Sequence, residues 1–253
     1  MSTPSLSNPL VSPTLARRLL AEALGTALLV AIVVGSGIRA EQLAAGNTAL
    51  ALLCNALATG AGLVALLISL GPVSGGHFNP AVTLAHLLSR RISMNTASGY
   101  IFVQLIGAMA GVVAAHAMFG LPWISMSMQA RTGAPMWWSE SLATFGLIGL
   151  GIATGRHRPA MLPFVVGGYI MAGYWFTSST SFANPALTIA CAFTDTFTGI
   201  RFMDVMAFIF AQIFGATNAV ALFDWLSGYQ SPRNPIQSSI MERGSQAPLT
   251  SVD

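Results

Sequence analysis

One tripeptide occurs twice in matching surroundings, and no other feature restricts the possible folds of this chain as much. Asn79-Pro80-Ala81 lies within SGGHFNPAVTLA, and Asn184-Pro185-Ala186 lies within TSFANPALTIA. Each copy follows small and polar residues and opens an apolar run too short to cross a bilayer. Asn caps a helix start, and Pro fits the first helical turn, where its missing N–H costs nothing. The sequence therefore predicts two short helices, over about 79–89 and 184–193, one in each half of the chain.

Six long apolar segments surround them, at about 16–38, 47–70, 97–119, 139–156, 160–178 and 203–225. Each is near the ~20 residues needed to cross a bilayer. Hydrophobic residues make up 54% of the chain and charged residues only 8%, which reads as a polytopic membrane protein. The first segment, Leu19 to Ile38, is too long for a signal peptide core and is read as a retained membrane helix. Residues 1–15 and 227–253 are expected to be disordered, the latter as a cytoplasmic tail.

All basic residues are Arg, and they sit at the ends of apolar segments rather than in a stripe suited to nucleic acid. With both termini cytoplasmic, the inside holds Arg17, Arg18, Arg90, Arg91, Arg156, Arg158, Arg233 and Arg243. The outside holds Arg39, Arg131 and Arg201. That bias supports six crossings in this orientation. Cys54 and Cys191 form no zinc-like pair and the four His are scattered, so no metal or other cofactor is expected. No catalytic constellation is visible, and the chain is not expected to be an enzyme.

The two halves repeat. Ala21-Glu22-Ala23-Leu24-Gly25-Thr26 corresponds to Ser139-Glu140-Ser141-Leu142-Ala143-Thr144, and Gln104-Leu105-Ile106-Gly107-Ala108 to Gln212-Ile213-Phe214-Gly215-Ala216. A domain over 16–226 thus contains repeat 1, about 16–119, and repeat 2, about 137–226. Three crossings per repeat is an odd number, so the second repeat is inverted. Inverted repeats with interrupted segments place a conduction path at the bilayer midplane. There the two short helices bring their N-termini together, each carrying about half a positive charge, which disfavours cations. Asn79 and Asn184 can each offer a side-chain NH2 to a passing oxygen. The stretches before them (Gly75, Gly76, His77 and Phe78; Thr180, Ser181, Phe182 and Ala183) are expected to be extended, with carbonyls facing the path. Gly107 with Gly111, and Gly151 with Gly155, have the spacing that lets membrane helices approach closely.

With these motifs the chain resembles the aquaporins, the major intrinsic protein family. The resemblance spans about 16–226. It implies an all-α membrane protein of six transmembrane helices plus two re-entrant half-helices in an inverted repeat. It also implies a homotetramer in the plasma (inner) membrane, with passive conduction through each protomer. Glu22 and Glu140 would accept hydrogen bonds from the re-entrant loops; a proton relay is the rival reading. Gln104 and Gln212 read as interhelical polar contacts.

The sequence departs from the family at the outer constriction. Most members carry Arg three places after the second Asn, where this chain has Leu187, and the Asp that follows that Arg in glycerol channels is absent as well. Thr59 stands where water-selective channels carry a bulky aromatic, and Ser181 is small. The fifth crossing contributes Ala172 or Tyr174, depending on loop length. The resemblance then implies a filter lacking its fixed cation and its imidazole, similar to atypical bacterial members associated with metalloid permeation. Water and small uncharged solutes such as glycerol, urea or metalloid hydroxides would pass. A water-selective channel, an ion-coupled secondary transporter and a closed junction protein are the alternatives. Helical spacing puts Cys191 on the face of Leu187, toward the outer mouth, and His86 on the face of Val82, toward the inner one. Cys191 reads equally as a thiol-reagent target or a buried structural Cys, and His86 as an ordinary interfacial His or a pH sensor.

Overall fold

The computed structural model describes residues 12–226. The expectations for 1–11 and 227–253 lie outside the described residues. Helix α1 (Leu15–Leu43) starts within the segment expected to be disordered, because the Thr14 side chain accepts from the Arg17 N–H and caps it. Asn47 caps α2 (Thr48–Ser74), which ends at Gly75 in a left-handed conformation, φ +98°. The short helix α3 (Pro80–Leu88) follows, then α4 (Met94–Phe119), capped by Ser93 and ended by Gly120. The second repeat runs α5 (Ala134–His157), α6 (Leu162–Phe176), α7 (Pro185–Cys191) and α8 (Phe202–Leu226). A single 3-10 turn, Pro159–Met161, precedes α6. Helix α5 begins five residues before the apolar run because Pro135 sits in its first turn, where proline favours initiation.

Among the described residues, α1, α2, α4, α8 and α6 with its preceding turn are long and apolar enough to cross a membrane. At 24 residues α5 is long enough as well, and it takes the place in repeat 2 that α1 takes in repeat 1. Large apolar side chains such as Leu20, Phe102, Met206, Phe210 and Trp225 are exposed on the outer faces of the bundle. Lipid suits that surface and water does not.

Within each repeat the first and last helices pack tightly, α1 on α4 and α5 on α8. Glycine allows this approach. A Cβ on Gly107 would lie 2.3 Å from the Ala23 carbonyl oxygen, one on Gly111 2.4 Å from that of Ala27, and one on Gly215 2.1 Å from that of Ser141. The expectation for Gly151 and Gly155 is corrected. A Cβ on either would meet nothing within 4 Å, because both line an internal cavity.

The repeats interlock. Helix α2 packs on α6, and each short helix lies against the last long helix of both repeats, α3 on α4 and α8, α7 on α8 and α4. The short helices meet each other at the centre.

Candidate functional site

Each short helix is entered through a stretch of backbone that does not pair with neighbouring backbone as helices and sheets do. Phe78 (φ +48°), Thr180 (+64°), Ser181 (+56°) and Ala183 (+46°) all adopt left-handed backbone, as do Gly75 and Gly76. That is costly for residues with a Cβ and persists only where the surroundings enforce it. Buried carboxylates do so here. Glu22 accepts from the Ser74 hydroxyl (2.6 Å), the N–H of His77 (2.9 Å) and of Phe78 (2.7 Å), and the Gln104 amide (2.8 Å). Glu140 repeats the set with the Ser179 hydroxyl (2.6 Å), the N–H of Phe182 and of Ala183 (2.9 Å each), and the Gln212 amide (2.6 Å). Both carboxylates are fully buried. The two Gln amides also donate to Thr83 and Thr188, which tie the carboxylates to α3 and α7.

Asn79 and Asn184 work at both ends of their side chains. Asn79 Oδ1 accepts from the Ala81 N–H, and Asn184 Oδ1 accepts from those of Ala186 and Leu187, so each caps its own helix. Their amides cross to the other repeat, Asn79 Nδ2 to the Ala183 carbonyl (2.7 Å) and Asn184 Nδ2 to the Phe78 carbonyl (2.9 Å). Two of the carbonyls expected to face the path therefore hold the asparagines instead. One N–H of each amide remains. Pro80 and Pro185 occupy the first helical position, and Ala81 and Ala186 are buried behind them.

Two cavities run along this axis. One, of about 320 Å³, is lined by Gly75, Gly76, His77, Asn79, His86 and Asn184, and extends to Ser89 and Arg91. The other, of about 340 Å³, opens on the opposite side past Glu41, Gln129 and Cys191. They share Val33, Tyr174, Ser181, Phe182 and Leu187, so the passage from one to the other lies within that ring. The Thr59 hydroxyl lies in the first cavity and meets the Tyr174 hydroxyl at 3.1 Å. Of the two candidates on the fifth crossing, Tyr174 is buried in the ring and Ala172 is exposed on the outside of the bundle. His86 lies in the first cavity, its ring 4.2 Å from that of His77. Gly173 leaves room for Ser181, whose hydroxyl would lie 2.5 Å from a Cβ there.

Among the residues of this path that sequence reasoning missed are Val33 in the ring, and Asn55 and Arg131 in the second cavity. Arg131 belongs to the loop between α4 and α5. Its Nε donates to the Gly199 carbonyl (2.7 Å), and its Nη1 to the Ser179 carbonyl (3.1 Å) and the Thr180 hydroxyl (3.3 Å). The guanidinium also lies over the Phe182 ring, 4.8 Å from its centroid. Burial pushes its pKa down from the usual value, but a guanidinium does not deprotonate in proteins. No motif marks Arg131. The only available signal was an arginine in the long third loop.

Paired half-helices, carboxylate-held loops and a continuous line of cavities define a membrane channel with an inverted repeat. A profile of the family "Major intrinsic protein" matches residues 9–160. The aquaglyceroporin AqpS of Rhizobium meliloti (strain 1021) is 52% identical over 222 residues, covering 88% of this chain and 94% of its own. The lens fiber major intrinsic protein of Gallus gallus is 31% identical, covering 82% and 80%. The crystal structure of the aquaglyceroporin from Plasmodium falciparum superposes with a TM-score of 0.65 at 17% identity, over 83% of this chain and 96% of that one, and shares the fold. The chain belongs to the major intrinsic protein family, whose members are channels and not enzymes.

Proposed function

We propose that this protein passively conducts water and small neutral solutes of glycerol size, urea and metalloid hydroxides included. The observation that carries the reading is the shared ring. Tyr174, Ser181 and Leu187 stand where two cavities meet, Thr59 reaches Tyr174 from the first of them, and both asparagines line the next part of the path. In this reading the four form the selectivity filter. Leu187 and Ser181 leave it more open and less polar than an arginine and imidazole would. The similarity to AqpS, an aquaglyceroporin, supports the same assignment. The carbonyls of Gly75, Gly76 and His77, and of Thr180 and Phe182, are left to offer water a ladder of acceptors, those of Phe78 and Ala183 being held by the asparagines. The half-helix N-termini raise the energy of a cation between them.

The channel acts in the plasma membrane with both termini cytoplasmic, as the arginine distribution supports, and assembles as a homotetramer with one path per protomer, as the family resemblance supports. An ion-coupled transporter needs a carboxylate free to change protonation along its path. Glu22 and Glu140 each hold four donors instead, which favours anchoring.

Stopped-flow light scattering on proteoliposomes tests the proposal. Fast shrinkage in sucrose, and fast shrinkage then re-swelling in glycerol, is the expected result. Shrinkage without re-swelling would make the channel water-selective, closed to larger solutes by Tyr174. No acceleration in either gradient would overturn passive conduction.

A further inference from the structure

Position 187 offers no cation, yet the outer cavity contains one. The Arg131 guanidinium and Leu187 line the same cavity, and Arg131 reaches it from the α4–α5 loop instead of from α7. Its position is fixed by the loop's backbone. Ser125 and Ser127 donate through their N–H groups to the Phe193 and Ala192 carbonyls (3.1 and 3.0 Å), Arg201 N–H donates to the Gln129 carbonyl (2.7 Å), and Arg131 N–H donates to Asp204 (2.9 Å). Gly199 lets the strands of chain lie this close, since a Cβ there would fall 2.2 Å from the Ser127 hydroxyl.

The guanidinium has no carboxylate within salt-bridge distance among the described residues; the buried Glu140 carboxylate attracts it only from further away. Glu41, at the exposed rim of the cavity, is not paired with it. Nε and Nη1 are used, while Nη2 has no hydrogen-bond partner among the described residues and is not sealed from the cavity. Two acceptors lie just behind the same wall, each with almost no exposed surface. Asn55 is fully buried and gives its amide N–H groups to the Val33 carbonyl (2.9 Å) and the Ser36 hydroxyl (2.8 Å), leaving Oδ1 without a partner. The Ser181 hydroxyl, 3% exposed, has none either. Buried polar atoms without partners are rare, and here two lie behind the wall of one cavity, beside an unused guanidinium N–H pair.

We propose that Arg131 supplies the filter with the cation that position 187 lacks, and that with Asn55 Oδ1 and the Ser181 hydroxyl it forms an outer docking site for neutral hydroxylated solutes. The inference builds on the channel reading above. A polyol or a protonated metalloid hydroxide presents both donors and acceptors to this wall. A cation meets a positive charge without a direct ion-pair partner in a low-dielectric mouth, where Coulomb repulsion is strong.

Proteoliposomes carrying the wild type and the variants R131Q, R131K, S181A and D204N test it. Glycerol re-swelling reads solute flux, and an encapsulated pH dye under a potassium diffusion potential reads proton influx. R131Q is expected to raise proton influx about tenfold relative to its own water flux, and R131K to return that ratio close to wild type. S181A is expected to lower glycerol flux about fivefold and leave proton influx unchanged. D204N loosens the same loop while sparing the charge, and is expected not to leak. Proton influx unchanged in R131Q, or raised equally in D204N, would overturn the role of Arg131. Glycerol flux unchanged in S181A would overturn the docking site. Absence of glycerol flux in the wild type would overturn the channel reading itself, a result distinct from the others.

Discussion

The two repeats agree at the centre and differ at the mouths. Glu22 and Glu140 hold equivalent sets of four donors, and Asn79 and Asn184 make reciprocal bonds of nearly the same length. Away from the midplane the likeness stops. The first repeat approaches its asparagine through Gly75 and Gly76 and places His77 against His86. The second uses Thr180 and Ser181, a shorter helix ending at Cys191, and a loop arginine. The difference separates two tasks. Residues that support the path obey the repeat, and the residues proposed to select what enters it do not.

The strongest way to break this comparison is to remove a carboxylate. Glu22→Ala and Glu140→Ala each leave four buried donors without an acceptor and are expected to cost about 3–5 kcal/mol. Melting in detergent should fall equally for both. An unequal loss would show that the two supports are not equivalent. On the other side, Cys191 belongs to the wall of the outer cavity but is itself fully buried, while Cys54 is exposed on the outside of the bundle. A small mercurial is therefore expected to leave the flux largely unchanged, and a block that Cys191→Ser abolishes and Cys54→Ser leaves would show that the outer cavity opens far enough to expose Cys191.

A glycine pair sharpens the boundary between support and space. Gly107→Ala pushes a methyl into the Ala23 carbonyl and is expected to cost about 1–3 kcal/mol, whereas Gly151→Ala, facing open space, should leave melting unchanged. The smallest effect is expected from Tyr174→Phe. Losing the bond to Thr59 frees one side of the ring, and glycerol flux should rise by about fivefold or less with water flux little altered.

The long helices, the half-helices and the inverted repeat were legible because each has a local signature: an apolar run, an Asn-Pro start, a repeated Glu or Gln. The partnership of Glu22 with Gln104 was not, since it joins residues far apart through a shared loop. Left-handed backbone at Phe78 and Ala183 has no residue signature, because buried carboxylates impose it on side chains that ordinarily avoid it. Tyr174 could not be separated from Ala172 without the helix phase, which depends on the length of the loop. Arg131 escaped because a loop has no periodicity, and its location depends on hydrogen bonds to a segment some seventy residues later.

The crossed asparagine bonds also order events during synthesis. Asn79 waits for a carbonyl at Ala183, 104 residues further on, and Phe78 waits for Asn184 at a separation of 106. While the second half is still on the ribosome, the first has Glu22 to shape its loop and nothing to latch its asparagine. The first half-helix is therefore expected to stay accessible to a membrane-permeant label until α7 has been made, and to become protected abruptly when it has.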